Sequence, residues 1–168
     1  MTSSQPVKAP VSGFYYYTFG ILEPILTLYG AAAGWTNTSR FFHDQIPSTT
    51  TPVDLDPRAN IVAWQLAGCY LLIAMIDFMF FQSLRRVVTN AASQEYMARQ
   101  FLTCFALADL IHIAVSLFGF PAYVRMDPVT WNALTHGNVT FTAFLFIVRM
   151  AWFMGIGRTT HTELAGTQ

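Results

Sequence analysis

Five side chains that lipid should forbid, Glu23, Asp77, Asp109, His112 and Arg149, fall inside the long apolar runs of this sequence. A charged group at the centre of a membrane helix costs about 2.5–3.5 kcal/mol on insertion scales, so such residues usually face a bundle interior or a cavity and mark a site. Glu23, Asp109 and His112 have the chemistry of an acid–base set. A buried carboxyl can protonate a developing alkoxide or alkene, and an imidazole oriented by a carboxylate three residues earlier can activate water or an internal hydroxyl. Arg149 and Asp77 stand in support, because a buried guanidinium needs a carboxylate and either Asp77 or Asp109 can supply it. Gln65 is a further supporting polar group, beside Trp64 at the opposite membrane surface, where Asn132 and His136 are also expected. Asp109 and His112 admit two other readings, an interhelical hydrogen bond through His112 and half of a bundle di-metal site. No second Glu-x-x-His occurs, so no metal centre is expected.

These residues must be positioned by helices. Of the 168 residues 54% are hydrophobic and 11% charged, far from the roughly 25% charged of a soluble domain. The apolar runs are each about the length that spans a bilayer, and in lipid only a helix satisfies their backbone. The expected fold is therefore an all-α integral membrane four-helix bundle in one domain, with spans at about 13–35, 60–82, 100–122 and 137–157 and an extramembrane loop at 36–59. Residues three, four and seven apart share a helix face. Tyr16, Gly20, Glu23, Thr27 and Gly30 form one such stripe, and Asp109, His112 and Ser116 form another.

Basic residues near the span ends set orientation. Lys8, Arg85, Arg86, Arg99 and Arg158 on one side outnumber Arg40, Arg58 and Arg125 on the other, which puts both termini in the cytoplasm. Glu23 and Pro24 interrupt the first apolar run, which argues against a cleaved signal peptide. Asn37 heads a glycosylation sequon on the lumenal side, and the endoplasmic reticulum is the expected membrane. A second sequon, at Asn138, abuts a span too closely. Cys69 and Cys104 lie in apolar runs and read as packing residues. The net charge of zero gives no reason to expect nucleic acid. Nucleotide, flavin, haem and zinc-protease motifs are all missing, so no cofactor is expected.

Phe14-Tyr-Tyr-Tyr-Thr-Phe, Ile21-Leu-Glu-Pro, Asp109-Leu-Ile-His112 and Arg149 together resemble a family of small fungal four-span membrane proteins of unknown function. That resemblance, roughly from Gly13 to Gly157, implies kinship with membrane-bound catalysts of fungal secondary metabolism. The architecture is also similar to the EXPERA group of sterol isomerases and sterol-binding proteins, although that group's full pattern of acids is not present.

Two functions follow as expectations. The first is a cofactor-independent membrane enzyme that opens an epoxide, by hydrolysis or cyclisation, or isomerises or cyclises an apolar polyketide or terpenoid. The second is a non-catalytic lipid- or sterol-binding or assembly protein. In both the partners are an apolar small molecule and membrane lipids, and an oligomer is compatible with either. Convergence of Glu23, Asp109 and His112 on a cavity favours the enzyme, whereas burial in paired contacts favours the binder.

Overall fold

The computed structural model describes residues 10–47 and 52–161; Lys8 and loop residues 48–51 lie outside them. Every regular element among the described residues is helical: α1 (Phe14–Tyr17), a π segment at Thr18–Leu22, α2 (Glu23–Thr36), α3 (Thr38–His43), α4 (Pro57–Val87), α5 (Ala91–Gly119), α6 (Ala122–Arg125), a 3-10 turn at Pro128–Thr130, α7 (Ala133–His136), a second π segment at Gly137–Phe141 and α8 (Thr142–Phe153). α1 runs through the first π segment into α2, and α7 through the second into α8, without leaving helical backbone.

Two helices, α4 with 31 residues and α5 with 29, are long and apolar enough to cross a membrane. Only 22% and 17% of their most apolar stretches is buried within the protein, so most of that apolar surface faces outward. Leu72, Met79, Leu107, Ile111 and Phe118 are all exposed, as a lipid-facing surface requires.

Local chemistry sets the helix ends. α4 starts at Pro57 under an Asp56 cap, whose carboxylate accepts from the Arg58 N–H at 2.8 Å, ahead of the expected residue 60. At its other end the buried Gln94 donates to the carbonyl of Leu84 at 3.3 Å and to that of Val88, covering acceptors that a helix terminus leaves open. α5 begins at Ala91, earlier than expected, under an Asn90 cap that accepts from Ser93 at 2.9 Å. It stops at Gly119 rather than 122, because Pro121 disfavours helical backbone at Phe120. The stretch expected as loop between 36 and 59 contains the short helix α3, capped by Asn37.

The first π segment lies just ahead of Pro24. Proline has no N–H to offer the Gly20 carbonyl four residues back, and the Glu23 N–H instead reaches the Thr18 carbonyl five back. The wide turn so formed sets the direction in which Glu23 leaves the helix.

α2 packs along α4, and α5 packs against α8. The α2–α4 approach is closest at Gly34, where an added Cβ would lie 2.7 Å from the Cβ of Ala67. Gly34→Val is expected to lower stability by about 1–3 kcal/mol through overpacking. Gly68→Ala, whose new methyl meets nothing within 4 Å, is not expected to lower it. Melting curves in detergent distinguish the two variants.

An aromatic series fills the core on the terminal side. Tyr15, Phe19, Phe81, Phe101 and Phe105 follow one another with ring centroids 6.2, 6.2, 5.5 and 4.6 Å apart. The first and last described segments are tied there. The Tyr15 hydroxyl donates to the Ile156 carbonyl at 2.6 Å, and the Trp152 indole donates to the Pro10 carbonyl at 3.2 Å. Glu95, in the opening turns of α5 ahead of its apolar stretch, accepts from Arg158 at 3.0 Å, from Arg99 at 3.4 Å and from the His161 main chain. Burial works against its charged form, but the Arg158 and His161 hydrogen bonds and the Arg99 charge outweigh that and hold the carboxyl below the ordinary carboxylate range. Cys69 and Cys104 are exposed free thiols; they lie on outward faces rather than in the core that their apolar setting had suggested.

Candidate functional site

α2, α4, α5 and α8 each bring one charged side chain to the middle of the bundle: Glu23, Asp77, Asp109 and Arg149. Arg149, 1% exposed, is the centre of the cluster. Its NH1 donates to Asp109 Oδ2 at 2.6 Å and its NH2 to Glu23 Oε1 at 2.5 Å. Both carboxylates are buried as well. The faces of Phe19 and Phe105 lie 5.1 and 5.4 Å from the guanidinium carbon, within cation–π range. This triad joins the α2–α4 pair to the α5–α8 pair.

Asp77 is placed beside the triad but not in it. It is 1% exposed, and both its oxygens, like Arg149 Nε, make no hydrogen bond among the described residues. Of the two acids that the sequence offered to Arg149, the structure takes Asp109, and it adds Glu23 from 126 residues away in the chain.

His112, one turn on from Asp109 in α5, makes no hydrogen bond or ion pair with the acids among the described residues. It lines an open cavity of about 350 Å³ between α4, α5 and the stretch after α3, with Gln45, Tyr70, Ser116 and Asn138 as the other polar residues and Leu66, Val115 and Phe120 among the apolar ones. Neither Glu23 nor Asp109 lines that cavity. In the same lining the Asn138 side-chain amide donates to Gln45 Oε1 at 3.4 Å. The expected trio is therefore divided, with Glu23 and Asp109 around Arg149 and His112 in the cavity.

Gln65 is exposed on α4 and joins neither group. Asn132 and His136 serve their own helix: Asn132 caps α7 through Thr135 at 2.8 Å and donates to the Asp44 carbonyl at 2.9 Å, while His136 pairs with Thr140 at 3.0 Å. Asn37 is exposed and caps α3 by accepting from the Arg40 N–H at 3.3 Å. No group of three or more His, Cys, Asp or Glu residues among the described residues has metal-binding geometry. The cavity also uses residues that sequence reasoning passed over as site residues, Gln45 and Asn138. Gln45 lies in a polar connection and carries no periodic signal, and Asn138 read only as a poor sequon.

An all-helical protein with two helices fit to cross a membrane, a buried arginine shared by two carboxylates and a histidine-lined cavity defines the class. The chain belongs to the DUF7704 family, a domain of unknown function, whose family model matches residues 8–159. No curated protein and no solved structure matches it.

Proposed function

We propose that this protein is a four-span integral membrane protein, seated in the endoplasmic reticulum, that takes a small, largely apolar molecule into the His112 cavity. One observation carries the reading: the cavity of about 350 Å³ combines Leu66, Val115 and Phe120 with a few neutral polar groups. That size and lining suit small-molecule sites, which are mostly apolar with a small number of orienting polar groups. The arginine triad supports binding over catalysis, because Glu23 and Asp109 are each engaged with Arg149. They then fasten the α2–α4 pair to the α5–α8 pair, of which α4 and α5 line the cavity.

Leu66→Trp, which fills the cavity from α4, tests this reading. An apolar probe such as cyclododecanol should raise the melting temperature of the wild-type protein in nanodiscs and leave that of Leu66→Trp unchanged. Equal shifts in both proteins would remove the cavity as the binding site. For the membrane topology, glycosylation at Asn37 and none at a sequon engineered between Arg86 and Asn90 is the expected pattern.

A second reading, the cofactor-independent acid–base enzyme of secondary metabolism, is favoured by the presence of His112 in the cavity one turn from Asp109. Its chemistry is the opening of an epoxide or an isomerisation or cyclisation of an apolar polyketide or terpenoid. His112 would activate water or an internal hydroxyl, and Glu23 or Asp109 would be the acid. Each of those carboxylates uses one oxygen on Arg149.

A further inference from the structure

Arg85, Arg86, Arg99 and Arg158 stand at the end of the bundle where α4 passes into α5, and among the described residues Glu95 is the only acid there. Glu95 takes two of them: Arg158 donates to it at 3.0 Å and Arg99 at 3.4 Å. The other two, Arg85 and Arg86, are consecutive and exposed, and they make no ion pair or hydrogen bond among the described residues. The last turn of α4 thus carries two uncompensated positive charges.

Arg85 is nonetheless held in place. Its guanidinium carbon lies 3.9 Å from the centre of the Tyr16 ring, within cation–π range. Tyr16 is buried, and its hydroxyl accepts from Gln82 Nε2 at 2.7 Å, so the ring that carries the guanidinium is itself fixed between the first helical rod and α4. A guanidinium stacked on a ring keeps its N–H donors in its own plane, open to an oxyanion.

Further into the apolar stretch, the face below Arg86 changes character. Ser83, Met79, Ile76 and Leu72 follow it at steps of three and four residues, which puts them on one side of the helix, and all are exposed. Two arginines and a hydroxyl therefore head a stripe of apolar side chains on a helix long and apolar enough to cross a membrane. A phospholipid has the same order, a phosphate and then acyl chain.

We propose that this end of α4 binds an anionic phospholipid, whose phosphate accepts from Arg85 and Arg86 while its acyl chains lie along Met79, Ile76 and Leu72. Guanidinium groups suit phosphate through their forked N–H donors. A headgroup that carries its own cation, such as phosphocholine, presents a phosphate already neutralised, so the preference is for a headgroup without one. The site lies on the outer face of α4, apart from the His112 cavity, and either stands without the other.

Native mass spectrometry of the full chain in detergent tests this, with dioleoyl phosphatidylglycerol and dioleoyl phosphatidylcholine offered in equal amounts. The two lipids have the same acyl chains. Each arginine near a membrane surface strengthens attraction to anionic lipid about fivefold, so wild type is expected to retain the anionic lipid at least about tenfold over the zwitterionic one. In Arg85→Gln/Arg86→Gln the preference should fall to about twofold or less. Arg58→Gln/Arg125→Gln, which removes the same charge at the opposite end, should keep it. Should the first double variant fail to fold, Arg86→Gln alone, which removes no ion pair or hydrogen bond, should lower the preference about fivefold. No preference in wild type, an undiminished preference in the variant that folds, or an equal fall in Arg58→Gln/Arg125→Gln would overturn the proposal. Displacement of the bound lipid by inorganic phosphate at equal concentration would overturn it too, since the arginines would then be a site for free phosphate.

Discussion

Arg149→Met is expected to cost about 3–5 kcal/mol of stability, the usual result of removing one partner from a buried ion pair. The loss arises from the groups that stay behind. Glu23 and Asp109, which Arg149 holds at 2.5 and 2.6 Å, would remain buried on two different helices with no cation between them, beside an Asp77 that is already unbonded. Adding Glu23→Gln and Asp109→Asn should recover most of the loss, since neutral amides need no counter-charge. Asp77→Asn alone removes no hydrogen bond and should leave stability unchanged or raised. Melting temperatures in detergent decide the matter. Equal loss in Arg149→Met and in the triple variant would show that the guanidinium acts through its packing against Phe19 and Phe105 rather than through its charge.

His112→Gln separates the enzyme reading from the binding one, because the structure places His112 in the cavity and outside the triad. If the protein is an acid–base catalyst, conversion of an apolar epoxide by microsomes should fall about 10²-fold or more, the scale of a lost acid–base group. The melting temperature should hardly move. Glu23→Gln and Asp109→Asn should lower stability as well, since each removes one side of the Arg149 bonding. For them the informative quantity is turnover per folded molecule. If all three variants keep full turnover per folded protein, the catalytic assignment falls and Glu23 and Asp109 are fastenings. Loss in His112→Gln alone would place the chemistry in the cavity.

Much of this was legible in the sequence because a charged side chain inside a long apolar run is costly to bury and so stands out. Glu23, Asp77, Asp109 and Arg149 were conspicuous in their apolar runs, and all four are buried in the bundle. What the sequence could not supply was partnership. Asp77 and Asp109 looked equivalent as acceptors for Arg149, and the choice between them depends on how α4 and α5 are rotated against α8, which no spacing in the sequence states. The Gln45–Asn138 bond in the cavity wall was hidden for another reason. Its two members are 93 residues apart, and neither an amide in a polar connection nor one beside a glycine has a periodic signature. Glu95 was overlooked because an acid in the first turns of a helix ordinarily reads as solvated. Here the returning C-terminal segment covers it.

The π segment at Thr18–Leu22 acts as a phase adjustment within a single rod. A π turn accommodates about one residue more than a regular turn, and one residue of α-helix corresponds to about 100° of rotation and 1.5 Å of rise. The two halves of the rod are thereby set independently: Glu23 and the rest of α2 are aligned to Arg149 and to the Gly34–Ala67 contact, while Tyr15 and Phe19 are aligned to the aromatic series and to the Ile156 carbonyl. Deleting one residue from this segment would give a smoother helix with its halves out of step. With Glu23 kept on Arg149, the Tyr15 hydroxyl would swing away from the Ile156 carbonyl and Phe19 away from Phe81. The irregularity is what allows one helix to satisfy two sets of partners whose spacings no uniform helix would match.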